Sequence, residues 1–203
     1  MSNCSVMLLA YTLMHIDYVY SKLLKFTSIF YKLRYKVSPP ILWMLYFAFV
    51  HSQLLYGIEI YGSAARSHLN KLIILNNKIL RIIQNKPIQY CVSDLYKNYK
   101  TLAIPELYKL QILCLVHKYL YCNCNLPDIF VNYFSLNNDF HQYFTRSSSH
   151  LHLLRVNTSY GSRCIKFKAS QLWNTIPEEL KLINKLNSFK NHLKSHLFND
   201  IKY

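Results

Sequence analysis

Glycine is nearly missing from this sequence: there are three in 203 residues, at positions 57, 62 and 161, beside six prolines. Sandwiches and barrels turn every few residues and need such breakers, so the scarcity argues against an all-β fold and favours helices. It also rules out a glycine-rich phosphate cradle, since no glycine precedes Lys-Ser or Lys-Thr at nucleotide-wrapping spacing. Acids are scarce too, with nine set against 24 lysines and arginines. No two aspartates are adjacent, and Glu178 and Glu179 are the sole neighbouring acids. Long apolar runs are lacking. Residues 5–14 and 41–50 are each about half the roughly twenty needed to cross a bilayer, so both are expected to be buried helices and no transmembrane segment is predicted. The six cysteines form no Cys-x-x-Cys pair and no secretory leader is recognisable, which points to reduced thiols in an intracellular protein, cytoplasmic or nuclear.

What is present is apolar mass and positive charge. Hydrophobic residues make up 52% of the chain, enough for one domain or two small ones with a real core. The net charge of +15 suits a polyanion, nucleic acid first and an anionic membrane surface second. The excess of lysine over arginine, 18 to 6, is also what A/T-rich coding would produce, but base composition explains the low acid count less easily.

Apolar periodicity places helices in order along the chain. Residues 15–35 form the first, with Leu23, Phe26, Phe30 and Leu33 on one face. After Ser38-Pro39-Pro40 comes a nearly all-apolar helix over 41–55, predicted to be central to the core. Gly57 and Gly62 bracket a turn. Residues 66–84 form an amphipathic helix with Leu69, Leu72, Ile73, Leu80 and Ile83 inside and Lys71, Lys78 and Arg81 outside. One or two turns follow over 93–99, then a buried helix over 106–121 with Glu106 and Lys118 suited to its dipole. Leu126-Pro127 opens a short helix. Residues 137–150 read as a polar loop. The only good strand candidates, 151–156 and 163–167, surround Gly161 and predict a small hairpin. Thr175-Ile-Pro-Glu178 fits a capping box, and a final helix from about Ser188 places Phe189, Leu193 and Leu197 on one side. Trp173 is expected in the core, and Tyr56 and Tyr61 as packing residues. Cys114, His117, Cys122 and Cys124 lie close in sequence. Two of them fall within an apolar helix, however, and Cys122-Asn-Cys124 is too tight for zinc-ligand spacing, so no metal site is predicted.

Several segments, in one order, resemble jockey-like non-LTR (LINE-type) retrotransposon reverse transcriptases. His15-Ile-Asp-Tyr-Val-Tyr-Ser-Lys-Leu-Leu-Lys25 looks like the run after the polymerase palm. Leu45-Tyr-Phe-Ala-Phe-Val50, Leu54-Leu-Tyr-Gly-Ile-Glu-Ile-Tyr-Gly62 and Asn76-Asn-Lys-Ile-Leu-Arg-Ile-Ile83 look like the next elements. His141-x-Tyr143-x-Thr145-Arg146, Arg155-Val-Asn-Thr158 with Gly161, Ala169-Ser-Gln-Leu-Trp-Asn174, Ile176-Pro-Glu-Glu-Leu180 and the stretch from Ser188 to Leu197 complete the set.

The resemblance covers residues 15–203 and implies a mainly α fold. It predicts an unmatched segment 1–14, a helical thumb-like bundle over 15–134 and a polar loop over 135–150. A small α+β C-terminal region over 151–203, with the hairpin and a terminal helix, would follow. The parent activity would be RNA-directed DNA polymerisation, with magnesium held by an aromatic-Ala-Asp-Asp turn and an upstream aspartate. Those carboxylates have no counterpart here. The resemblance therefore implies the post-palm part of such an enzyme, without catalysis and without a cofactor, which would bind RNA or an RNA/DNA duplex and pack against a palm. The competing readings are a relic without a role, or a basic helical protein that binds a protein partner or an anionic membrane. For the nucleic-acid reading the candidate residues are Lys71, Lys78 and Arg81, then His141, Tyr143 and Arg146, then Lys190 and Lys194.

Overall fold

The computed structural model describes residues 3–122, 126–130, 132–140 and 147–199, with the side chains of 3–9 and 129 left out. Among these residues the fold is mainly α. The chain divides into two compact units, the division falling between Leu107 and Tyr108.

In the first unit, α1 (Asn3–Leu33) is one continuous helix. The two helices expected over 5–14 and 15–35 merge because no glycine or proline interrupts them. Ile16, Val19, Leu23, Thr27 and Phe30 recur every three or four residues and are buried, while Phe26 and Leu33 lie at the margin. The buried Thr27 hydroxyl donates to the Leu23 carbonyl at 3.2 Å. Ser38-Pro39-Pro40 separates α1 from α2 (Pro39–Leu45), which continues through a π-helical stretch (Tyr46–His51) into α3 (Ser52–Leu55).

This rod is less central than its composition suggests. Leu42, Tyr46, Val50 and Leu54 are buried, but Ile41, Trp43, Met44 and Phe49 are 43–56% exposed. The buried set repeats every four residues, a period longer than the 3.6 of an α-helix. The wider π turn absorbs that difference and keeps all four on one line.

Gly57 then adopts φ +70° and starts α4 (Ile58–Tyr61), where a turn was expected. A Cβ on Gly57 would sit 3.1 Å from the His15 imidazole, so both conformation and space favour glycine. Of the two flanking tyrosines, Tyr61 is buried, whereas Tyr56 is exposed with its ring 5.4 Å from His15.

The amphipathic helix α5 (Arg66–Ile83) buries Leu69, Leu72, Leu75, Ile79, Leu80 and Ile83 and packs along α1. Ile73 lies at the margin of that face. Lys71 is tied to Asp17 and Tyr35 to Asn85, so α1 and α5 run parallel with their C-terminal ends together. A fully buried amide, Asn76, accepts from Tyr46 at 3.1 Å and donates to Tyr96 of α6 (Val92–Tyr99) at 3.0 Å.

The second unit is built on α7 (Ile104–Tyr121) from Tyr108 onward, α8 (Ile165–Thr175), α9 (Glu178–Lys181) and α10 (Leu186–Asn199). Trp173, Phe189, Leu193 and Leu197 are buried, as the sequence pattern required. Cys114 and His117 sit in this core, with His117 stacked on Phe189 at 4.3 Å and its Nε2 bonded to the Ile183 carbonyl at 2.6 Å. Burial pushes the Cys114 thiol up to about 11.

The expected hairpin is not formed among the described residues. Leu151 makes an isolated antiparallel bridge with Leu136. Its N–H and C=O are then taken by the Asn174 side chain, at 3.0 and 2.9 Å, which satisfies the groups a partner strand would have paired. The second strand candidate is helical instead. The Thr158 hydroxyl accepts from Gly161 N–H at 3.0 Å, a 3₁₀ turn (Gly161–Arg163) follows, and α8 begins at Ile165. The capping box at 175–178 is absent as well. The Thr175 hydroxyl turns back to the Leu172 carbonyl at 2.8 Å, and Pro177 occupies the cap position of α9.

Candidate nucleic-acid interface

Lys71, Lys78 and Arg81 share the side of α5 turned away from its apolar stripe, as their spacing requires, but their surroundings differ. Lys71 forms an ion pair with Asp17 and lies 5.9 Å from the Tyr20 ring centroid, so its charge is partly neutralised. Lys78 is exposed and extends the outer surface next to Ile74, itself 67% exposed. Arg81 is half-buried, and one terminal NH₂ group donates to the Tyr90 carbonyl at 3.4 Å. Lys78 is thus the freest of the three to meet a phosphate, and Arg81 also braces the segment that follows α5.

Lys190 and Lys194 stand one turn apart on α10. Lys190 is exposed, and its charge, with that of Lys118 on α7, also reaches Cys114. Lys194 is half-buried, and burial first, then the neighbouring Lys190, holds its ammonium below the usual lysine range. Like charges one turn apart repel, and an anion between them would relieve the repulsion. His141, Tyr143 and Arg146 lie outside the described residues. Asp139 accepts from the Leu136 backbone N–H at 2.8 Å.

A third concentration of charge escaped the sequence pattern. At the joined ends of α1 and α5, the Arg34 guanidinium lies 4.1 Å from the Tyr31 ring centroid and 4.5 Å from that of Tyr35. Lys86 lies 4.8 Å from the Tyr90 ring centroid. The run Tyr-Lys-Leu-Arg-Tyr-Lys over 31–36, basic and aromatic by turns, was its signal in the sequence.

Among the described residues the carboxylates are dispersed. Glu178 bonds Lys181 at 2.7 Å, which holds its carboxyl below the usual range, and Glu179 shares its helical turn. Among the described residues no three His, Cys, Asp or Glu side chains gather into a group that could hold a metal ion. No helix among them is long and apolar enough to cross a membrane.

One stretch is similar to a polymerase. Over 54 residues, 27% of this chain, the sequence is 43% identical to the RNA-directed DNA polymerase from mobile element jockey of Drosophila melanogaster. The stretch covers 6% of that protein's length. No family model matches the chain, and no solved structure matches it.

Proposed function

We propose that this chain binds RNA or an RNA/DNA duplex through its phosphates, as the nucleic-acid-holding, post-palm part of a jockey-like reverse transcriptase, and does not itself polymerise. The observation that carries the reading is the unneutralised charge. Nine acids cannot pair with 24 lysines and arginines, and the excess reaches the surface at Lys78, at Lys190 and at the ends of α1 and α5. Such a surface displaces counterions from a polyphosphate, which drives association whatever the base sequence. The similarity to an RNA-directed DNA polymerase supports nucleic acid over other polyanions. The absence of catalysis rests on the carboxylates: two-metal phosphoryl transfer needs acids converging on one point, and the adjacent pair in this chain, Glu178 and Glu179, begins α9 with Glu178 engaged by Lys181.

Fluorescence anisotropy with a labelled RNA tests the binding. Six phosphate contacts predict that affinity falls about a thousandfold between about 50 and 200 mM salt. A flat salt response, or no binding at low salt, would remove the reading. Primer extension with magnesium tests the other half, and incorporation of nucleotides above background would overturn it. A membrane surface is the competing anion, because the exposed residues Tyr11, Met14, Tyr18 and Ile29 lie beside Lys22 and Lys25 on α1. Flotation with anionic vesicles at salt concentrations that abolish RNA binding would favour that reading instead.

A further inference from the structure

The geometry points to a binding site for an unpaired nucleic-acid strand at the joined C-terminal ends of α1 and α5, with Tyr31 and Tyr35 as base-stacking platforms. The inference rests on the nucleic-acid reading above and goes further, since it specifies where the strand lies and that its bases are exposed.

The chain builds this place from two helix ends. α5 finishes in a Schellman motif: Asn85 takes φ +50°, its N–H bonds the Ile82 carbonyl at 3.2 Å, and Lys86 N–H reaches back to the Arg81 carbonyl at 2.9 Å. Asn85 is thereby fixed in space, and its side-chain oxygen accepts the Tyr35 hydroxyl at 3.3 Å, which ties the end of α1 to the end of α5. Arg34 sits over both Tyr31 and Tyr35, so the two rings are held on one cation. Even so, the rings stay 57% and 72% exposed. A guanidinium covers one face of a ring, and the remaining face is open to a flat, apolar partner. The Arg34 Nε is buried without a hydrogen-bond partner.

The two helix ends also carry Lys32, Lys36, Arg81 and Lys86, and the segments 31–36 and 81–90 contain no acid. Cations at helix C-termini also complement the helix dipole, and that alone could account for their presence. It does not account for two largely exposed tyrosines arranged about an arginine. Open aromatic faces next to phosphate-seeking lysines are the means by which proteins hold single strands without reading their sequence. A duplex conceals its bases and could use the lysines but not the rings. The occupant is therefore single-stranded RNA or DNA.

The test compares anisotropy of the full chain with a labelled oligothymidylate of about twelve nucleotides and with a duplex of the same length, a size within the range such sites cover. Tyr31→Leu/Tyr35→Leu should weaken the single strand about tenfold or more, as loss of a stacked base does, and leave the duplex within about twofold. Tyr35→Phe, which keeps the ring and loses the bond to Asn85, should weaken the single strand less than the double variant does. Arg34→Lys, which keeps the charge and loses the planar group, should weaken the single strand. Helical circular dichroism checks that each variant is folded. If the parent binds oligonucleotides and the double variant binds both equally well, or loses both equally, the stacking site is wrong while the broader reading survives. Loss of thermal stability with unchanged binding would assign the cluster to the helix dipole and overturn the proposal. If the parent binds neither oligonucleotide, both readings fall.

Discussion

Asn76 shows how one polar residue can organise an apolar interior. Its amide is fully buried on α5 between the hydroxyls of Tyr46 and Tyr96, and Tyr96 also donates to Asn77 at 2.7 Å. Burial drives the Tyr46 phenol far above its ordinary range, so it stays neutral and needs a partner. Asn76→Ala should lower unfolding free energy by about 1–3 kcal/mol, because it strands a buried hydroxyl. Adding Tyr46→Phe should recover part of that loss in urea denaturation. A double variant no more stable than the single one would show that packing, not hydrogen bonding, is what Asn76 supplies. At the same scale, His117 is expected to make stability depend on pH. Burial, opposed by the bond to Ile183, lowers its folded pKa beneath the ordinary 6.5. The unfolded chain then binds the extra proton, so this stability is complete above about pH 6.5 and lost as pH falls towards the depressed folded value. The denaturation midpoint should drop between about pH 7.5 and pH 5, and His117→Gln should shrink that drop. Equal drops in the two proteins would place the sensitivity elsewhere.

Among the elements, the loop that ends at Leu151 depends on α8. The Asn174 amide closes both backbone groups of Leu151, so Asn174→Ala should speed amide exchange and proteolysis around Leu151 and His152 while leaving α10 protected. Unchanged exchange at Leu151 would show that the bridge to Leu136 suffices. The same contact explains what was legible in the sequence. α5, α7 and α10 follow from the spacing of apolar residues, because a helix face is a local property. The stretch 151–156 looks strand-like for local reasons too, but the partner of Leu151 is a side chain 23 residues away, which no local pattern carries. The candidate interface divides along the same line. Lys78 could be placed on an outer face from spacing alone. The neutralisation of Lys71 by Asp17, 54 residues distant, could not, nor could the meeting of Tyr35 with Asn85. Both depend on α1 and α5 running parallel, which is a tertiary fact.

Over the whole molecule the net charge is positive in both halves of the chain. Residues 1–107 hold twelve lysines and arginines against four acids, and residues 108–203 hold twelve against five. Each unit therefore repels itself as well as attracting a polyanion, and salt acts on the two effects in opposite directions. At about 0.1 M the screening length is about 10 Å, shorter than the span of a domain, so added salt relieves most self-repulsion between distant lysines. The thermal midpoint of the free protein should accordingly rise as sodium chloride goes from about 20 to 200 mM, while affinity for nucleic acid falls over the same range. This opposition separates two explanations of weak binding at high salt, because a protein that becomes more stable as it releases RNA has lost counterion-driven contacts and not its fold. A midpoint that is flat or falls with salt would mean that local ion pairs such as Lys181 with Glu178 outweigh the long-range repulsion. In that case the salt response of stability would no longer distinguish lost contacts from a lost fold.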